Sequence, residues 1–269
     1  MKTLMIFLSL FSLPALADYT LVSAPRDTKE KETARYAPIA AELSEYLGVK
    51  ITYKFIEGWP VYTKEIQENV NDIVFDGPHY VSYRHEYKEH QIVARLAEPL
   101  SFLVVVKSDS KLHDLKGLAG RKTCLHAPPN LANTLLQKNY PITPPVTILI
   151  NGFDNAFKGV VDGSCEAAVV TRGIFKKLNK DNQLKVIHEF PALPNQAITV
   201  NNKVPTDIVV KLYNYIVDGR CKSCSVILDT FASKGFTAVN DNDYRGLSNI
   251  LIDDTRLGKD IQATKVAVK

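Results

Sequence analysis

Long hydrophobic runs are missing from this chain of 269 residues. Outside the first residues no apolar stretch approaches the roughly 20 needed to cross a bilayer. Charge of one sign is not in excess: 33 Lys and Arg against 29 Asp and Glu leave a formal +4. The charges are interspersed, as over residues 27–35, and form no basic stripe, so a nucleic-acid partner is not indicated. Enzyme signatures are also absent. There is no GxSxG elbow, no GxGxxG after a strand and no GxxxxGK[ST] loop. The glycines Gly117 and Gly120 precede a strand and read as a turn. His85 and His90 are five apart and point to different faces of a helix at about 100° per residue, which argues against a helical zinc pair. Asp253 and Asp254 are adjacent carboxylates that nothing places in a cleft. Cysteine occurs only four times. Cys221 and Cys224 are close enough to bridge, but four ligands are needed for structural zinc. Cys124 and Cys165 each sit at an expected strand, and either bridge or are simply buried.

What is present is an ordinary globular composition, 45% hydrophobic and 23% charged. Met1–Ala17 reads as a secretory signal: Lys2, an apolar core from Leu4 to Leu13, Pro14, then small residues at Ala15 and Ala17. Cleavage after Ala17 would export a chain starting at Asp18.

The rest alternates between strand and helix patterns. Leu21 and Val22 lie in a short apolar strand. Thr33 is a candidate cap for a helix on which Tyr36, Ile39, Ala40, Leu43 and Leu47 recur at helical spacing, stopped by Gly48. Strands are expected over 49–55, 72–75, 92–96, 122–126, 147–150, 167–170, 184–187 and 197–201. Helices are expected over 61–69, 79–89, 130–139, 154–161, 173–178 and 206–217, the last capped by Thr206. Phe102–Val106 is wholly apolar. This alternation argues for α/β architecture with mostly parallel sheets flanked by helices, in two lobes. Ligands of such sheets sit beyond the carboxyl ends of the strands. The loops there carry Pro25-Arg26, Gly58-Trp59, Asp76 to His79, residues 127–133, Asn151-Gly152 and Thr171-Arg172.

Laid in order, several segments resemble the phosphonate/phosphate-type substrate-binding proteins of ABC transporters. They are Tyr36 to Pro38 followed by Leu43 and Tyr46 to Val49; Asn71 to Val81, containing Asp76-Gly77-Pro78 and Tyr80-Val81; Leu112 to Gly117 with Gly120 to Lys122; Val160 to Val169; and Gly235-Phe236 with Asp243-Tyr244. The resemblance spans Asp18 to about Leu251. It implies a type II-like periplasmic clamshell, with lobe 1 at 18–104 plus 192–269, lobe 2 at 105–191, and a hinge near Phe102–Val106 and Leu193–Val200. It further implies a monomeric, non-catalytic periplasmic protein without a cofactor. Such a protein captures a small polar solute, an oxyanion or phosphonate-like compound, for a membrane permease; a ligand-sensing subunit for a membrane kinase is the alternative.

The residues expected to contact ligand are Arg26, Trp59, Asp76, Gly77, Pro78, His79, Tyr80, His126, Asn130, Asn133, Thr134 and Thr171. Helix N-termini beginning at Gly77-Pro78 and at Asn130 suit anions. The family's Ser-Thr-Ser-Gly run is replaced by Asn130 to Thr134, and Phe153 stands where a His is usual. A carboxylate at Asp76 would repel a bare dianion and favour a ligand with a cationic part, or a metal. Asp76, His79 and His126, with Cys124 on the same strand face as His126, form the alternative metal or metalloid set.

Overall fold

The computed structural model describes residues 18–267; the expected signal segment Met1–Ala17 lies outside them. The first sheet contains β1 (Asp18–Ser23), β2 (Lys50–Tyr53), β3 (Ile73–Asp76), β4 (Gln91–Leu96), β10 (Ala197–Val200) and β11 (Phe236–Thr237). Their spatial order is β11-β4-β10-β3-β1-β2. The second sheet contains β5 (Phe102–Lys107), β6 (Lys122–Leu125), β7 (Val146–Leu149), β8 (Ala167–Thr171) and β9 (Leu184–Glu189), ordered β7-β6-β8-β5-β9. Both sheets are mixed, not mostly parallel. In the first, β1 runs parallel to β2 and β3, while β10 is antiparallel to β3 and β4. In the second, β6 runs parallel to β7 and β8, and β5 is antiparallel to β8 and β9. The antiparallel strands β10 and β5 are those reached when the chain passes from one sheet to the other.

Strand pairing locates the crossings between the sheets. Phe102–Val106 pairs along its whole length with β8, so it belongs to the second sheet and is not hinge. Ala197–Val200 likewise belongs to the first sheet. The connecting chain is therefore residues 97–101 and 190–196. These two segments are tied to each other: Leu100 N donates to the Leu193 carbonyl and Leu193 N to the Leu100 carbonyl, both at 2.9 Å.

The helices are α1 (Lys29–Leu47), α2 (Trp59–Glu68), α3 (Pro78–Lys88), α4 (Leu131–Gln137), α5 (Phe153–Val161), α6 (Arg172–Leu178), α7 (Thr206–Val217), α8 (Ser225–Phe231) and α9 (Leu257–Ala267). The cap of α1 is Thr28, not Thr33, its hydroxyl accepting from Lys31 N. Thr206 is the first residue of α7 and does not cap it; Pro205 occupies that position without a side-chain bond. The apolar stripe of α1 buries Tyr36, Ile39, Leu43 and Leu47 against β-strand residues Leu21, Ile51 and Ile73. In the second lobe β5, β6 and β8 give Val104, Leu125 and Val169 to one face, and Val105, Cys124 and Ala168 to the other.

Both cysteine pairs are disulfides, Cys124–Cys165 and Cys221–Cys224. The C-terminal chain straddles the lobes. Ile250 packs on the second-lobe core, whereas Leu251, Leu257 and Ile261 pack on the first.

Candidate functional site

A cavity of about 300 Å³ lies where the two lobes face each other. That volume is at the small end of small-molecule sites. The first lobe brings Arg26 and Asp27 from the loop after β1, and Thr230 to Ala232 from the end of α8. The second brings His126 and Asn130 after β6, Gly152 to Asp154 after β7, and Thr171 to Ile174 from the end of β8 onward. Glu98 to Ser101, Asn195 and Gln196 add the two crossings. The cavity thus lies beyond the carboxyl ends of β1, β6, β7 and β8, where the sheet geometry places a ligand.

Three polar atoms of its lining are buried without a partner: Arg26 Nη1, His126 Nε2 and Gln196 Oε1. A buried polar atom left unbonded costs about 1–3 kcal/mol, so three residues around one cavity hold groups that a solute could satisfy. Arg26 lays its guanidinium over the Phe231 ring, 5.5 Å from the centroid. Neighbouring charge is balanced: Arg35 bridges Glu32 at 3.1 Å and Asp27 at 3.6 Å. Burial, with Arg26 nearby, lowers the His126 ring to about 4, so it is a neutral hydrogen-bonding group at pH 7. Asn133 Nδ2 donates to the His126 carbonyl at 2.6 Å and fixes that residue.

Of the twelve residues expected to contact ligand, Arg26, His126, Asn130 and Thr171 line this cavity. The Asn130 side-chain oxygen Oδ1 is committed to capping α4, accepting from Ala132 N at 3.0 Å. The Thr171 hydroxyl caps α6, accepting from Ile174 N at 3.3 Å. Asn133 and Thr134 lie behind the wall; the Thr134 hydroxyl donates to the Asn130 carbonyl at 3.2 Å.

Gly77, Pro78, His79 and Tyr80 lie beside Arg26 but outside the lining. A Cβ on Gly77 would come within 3.2 Å of His79 Cε1 and 3.9 Å of Arg26 Nη2, so the glycine permits that close approach. His79 is 4% exposed. Neither ring nitrogen makes a well-formed hydrogen bond, although the Pro129 carbonyl of the second lobe lies near enough to favour its charged form. Burial and then Arg26 prevail, and lower the ring to about 3. The Tyr80 hydroxyl is also unpartnered. Trp59 does not reach the cavity. It stacks on Tyr80, with centroids 6.1 Å apart, and meets Tyr62 edge-on at 6.0 Å, as part of the first-lobe core.

Asp76 requires a correction. Arg84 Nε donates to its Oδ2 at 2.8 Å, the Tyr62 hydroxyl donates to its Oδ1, and both Asp76 and Arg84 are 0% exposed. Its charge is spent inside the first lobe, so it neither repels an oxyanion nor recruits a cation. The alternative metal set does not assemble either. Cys124 has no thiolate to offer while bonded to Cys165. Among the described residues no group of three or more His, Cys, Asp or Glu side chains is placed to hold a metal.

Phe153, Phe231, Asn195 and Gln196 line the cavity but were not among the expected contacts. The departure at Phe153 was the one available signal; the other three carry no local motif.

Two sheet-based lobes, two crossings and a solute-sized cavity between them define a hinged binding protein. The family model for the ABC transporter, phosphonate, periplasmic substrate-binding protein matches residues 21–244, and the chain belongs to that family. Solved structures share the fold. PhnD1 from Prochlorococcus marinus, in complex with methylphosphonate, is 15% identical with a TM-score of 0.70, covering 87% of this chain and 97% of that one. A binding-protein component of an ABC phosphonate transporter from Pseudomonas aeruginosa is 15% identical with a TM-score of 0.68, covering 94% and 96%. A Xanthomonas citri protein bound to ATP is 11% identical with a TM-score of 0.67, covering 94% and 99%. No curated protein matches the sequence.

Proposed function

We propose that the protein captures a phosphonate-like oxyanion in the inter-lobe cavity and delivers it to the membrane permease of an ABC transporter, without altering it chemically. The observation that carries this is the pair Arg26 Nη1 and His126 Nε2. They come from opposite lobes, both buried and unpartnered, at one cavity. A single anion bonded by both would hold the lobes together, and excluding water strengthens each bond. Arg26 supplies the formal charge. His126 supplies a neutral N–H in the Nε2 tautomer, and Gln196 Oε1 supplies an acceptor for a protonated oxygen. The lobes that close are built on the first sheet, from residues 18–96 and 197–237, and on the second, from residues 102–189. The partner is taken as a permease and not a kinase because the family is that of transporters.

Isothermal titration calorimetry with methylphosphonate and inorganic phosphate tests this reading. Arg26→Met is expected to weaken binding by about ten- to a hundredfold, since hydrogen bonds to charged groups contribute about 1.5–3 kcal/mol net. Affinity equal to the wild type in that variant would show that the anion sits elsewhere.

A further inference from the structure

This inference rests on the reading that the inter-lobe cavity takes an oxyanion, and concerns what the oxyanion carries besides its charged head. Each polar anchor stands beside an aromatic ring that also lines the cavity. Phe231 lies under the Arg26 guanidinium, and Phe153 meets the His126 ring edge-on, with centroids 4.5 Å apart. The two rings come from opposite lobes. Leu100, Ile174 and Ala232 extend the apolar part of the wall. His126 itself is 8% exposed with an unpartnered Nε2, so a polar atom and an apolar surface are offered to the same solute.

The carboxylates of the wall are poorly placed to receive a cationic substituent. Asp27 is bridged by Lys31 at 3.3 Å and Arg35 at 3.6 Å. Glu98 accepts from the Ser233 hydroxyl at 2.5 Å and from Lys234 N at 3.1 Å. Asp154 is exposed in the first turn of α5. No carboxylate lining the cavity is buried, so an ammonium group gains little there over water, whereas an apolar group gains the area it removes from solvent.

We propose that the solute is an organic oxyanion with an apolar substituent seated against Phe153 and Phe231, in preference to an inorganic oxyanion or an amino-substituted one. Calorimetry on the exported chain with phenylphosphonate, methylphosphonate, 2-aminoethylphosphonate and inorganic phosphate tests it. Phenylphosphonate is expected to bind about ten- to a hundredfold tighter than methylphosphonate, from the added apolar area. Phe153→Ala is expected to remove most of that gap. Phe153→Leu, which retains packing bulk beside Phe102, is the second variant should the alanine protein not fold, and is expected to narrow the gap. A gap that persists undiminished in the folded variants overturns the inference. So does wild-type protein that binds methylphosphonate, 2-aminoethylphosphonate or phosphate as tightly as phenylphosphonate, although the oxyanion reading then still stands. Failure of every one of these anions to bind overturns both.

Discussion

Replacing Asp76 by Asn separates two roles that its position suggests, contact with the solute and internal support. The carboxylate and Arg84 are both fully buried, 2.8 Å apart. Removing one partner of such a pair leaves the other charge uncompensated, at a cost of about 3–5 kcal/mol. Arg84→Met should cost a similar amount, by stranding the carboxylate. The double replacement should cost much less than the two singles added together, because no buried charge remains; the coupling is expected to be about 3 kcal/mol. Urea unfolding followed by circular dichroism measures all three. Affinity supplies the second readout. A bare carboxylate about 6 Å from a bound anion would oppose it by about 3 kcal/mol at an effective dielectric constant near 20, so its neutralisation would tighten binding by about a hundredfold. Asp76 and Arg84 together carry no net charge, so the affinity of the folded double variant should stay within about threefold of wild type. Tenfold tighter anion binding by the double variant, or a stability loss below about 1 kcal/mol in either single variant, would refute the reasoning.

Acid should destabilise the fold through three rings. Burial lowers His79 to about 3, His90 to about 2 and His126 to about 4, while unfolded histidine titrates near 6.5. Between these values the unfolded chain binds more protons. Stability is therefore full above about pH 6.5 and declines below it, by about 2 kcal/mol per ring from pH 7 to pH 5. A urea midpoint unchanged over that interval would contradict these environments. Asn133→Ala, which removes the bond to the His126 carbonyl, should weaken methylphosphonate binding by about five- to tenfold while helical content is retained. Equal affinity by calorimetry would show that His126 is positioned without it.

Much of the fold was legible because burial leaves a period in the sequence. Tyr36, Ile39, Ala40, Leu43 and Leu47 mark the buried face of α1, and Gly48 its left-handed stop. The start of α1 was less visible, since its first turn is charged and solvated, and Thr28 and Thr33 are chemically equivalent caps. Strand direction was invisible for a similar reason. Phe102–Val106 announces a strand buried on both faces, but apolarity is the same whichever way the chain runs. The site divides along the same line. Arg26, His126 and Thr171 follow strand ends, where the architecture itself points to a ligand. Phe231 and Gln196 arrive from the end of a helix and from a crossing, brought in by tertiary folding alone. Trp59 misleads because Gly58 and Pro60 give it a loop-like setting, while its partners Tyr62 and Tyr80 are supplied by two different helices.

The paired crossings at Leu100 and Leu193 restrict how such a molecule can open. Sliding one half past the other, or splaying the two connections apart, would tear both amide–carbonyl links; rotation about an axis through them breaks neither. Motion confined to one angle would make the outline of the molecule depend on how far the cavity is closed over its cargo. A membrane partner can then distinguish loaded from empty by silhouette, with no need to inspect the cargo itself.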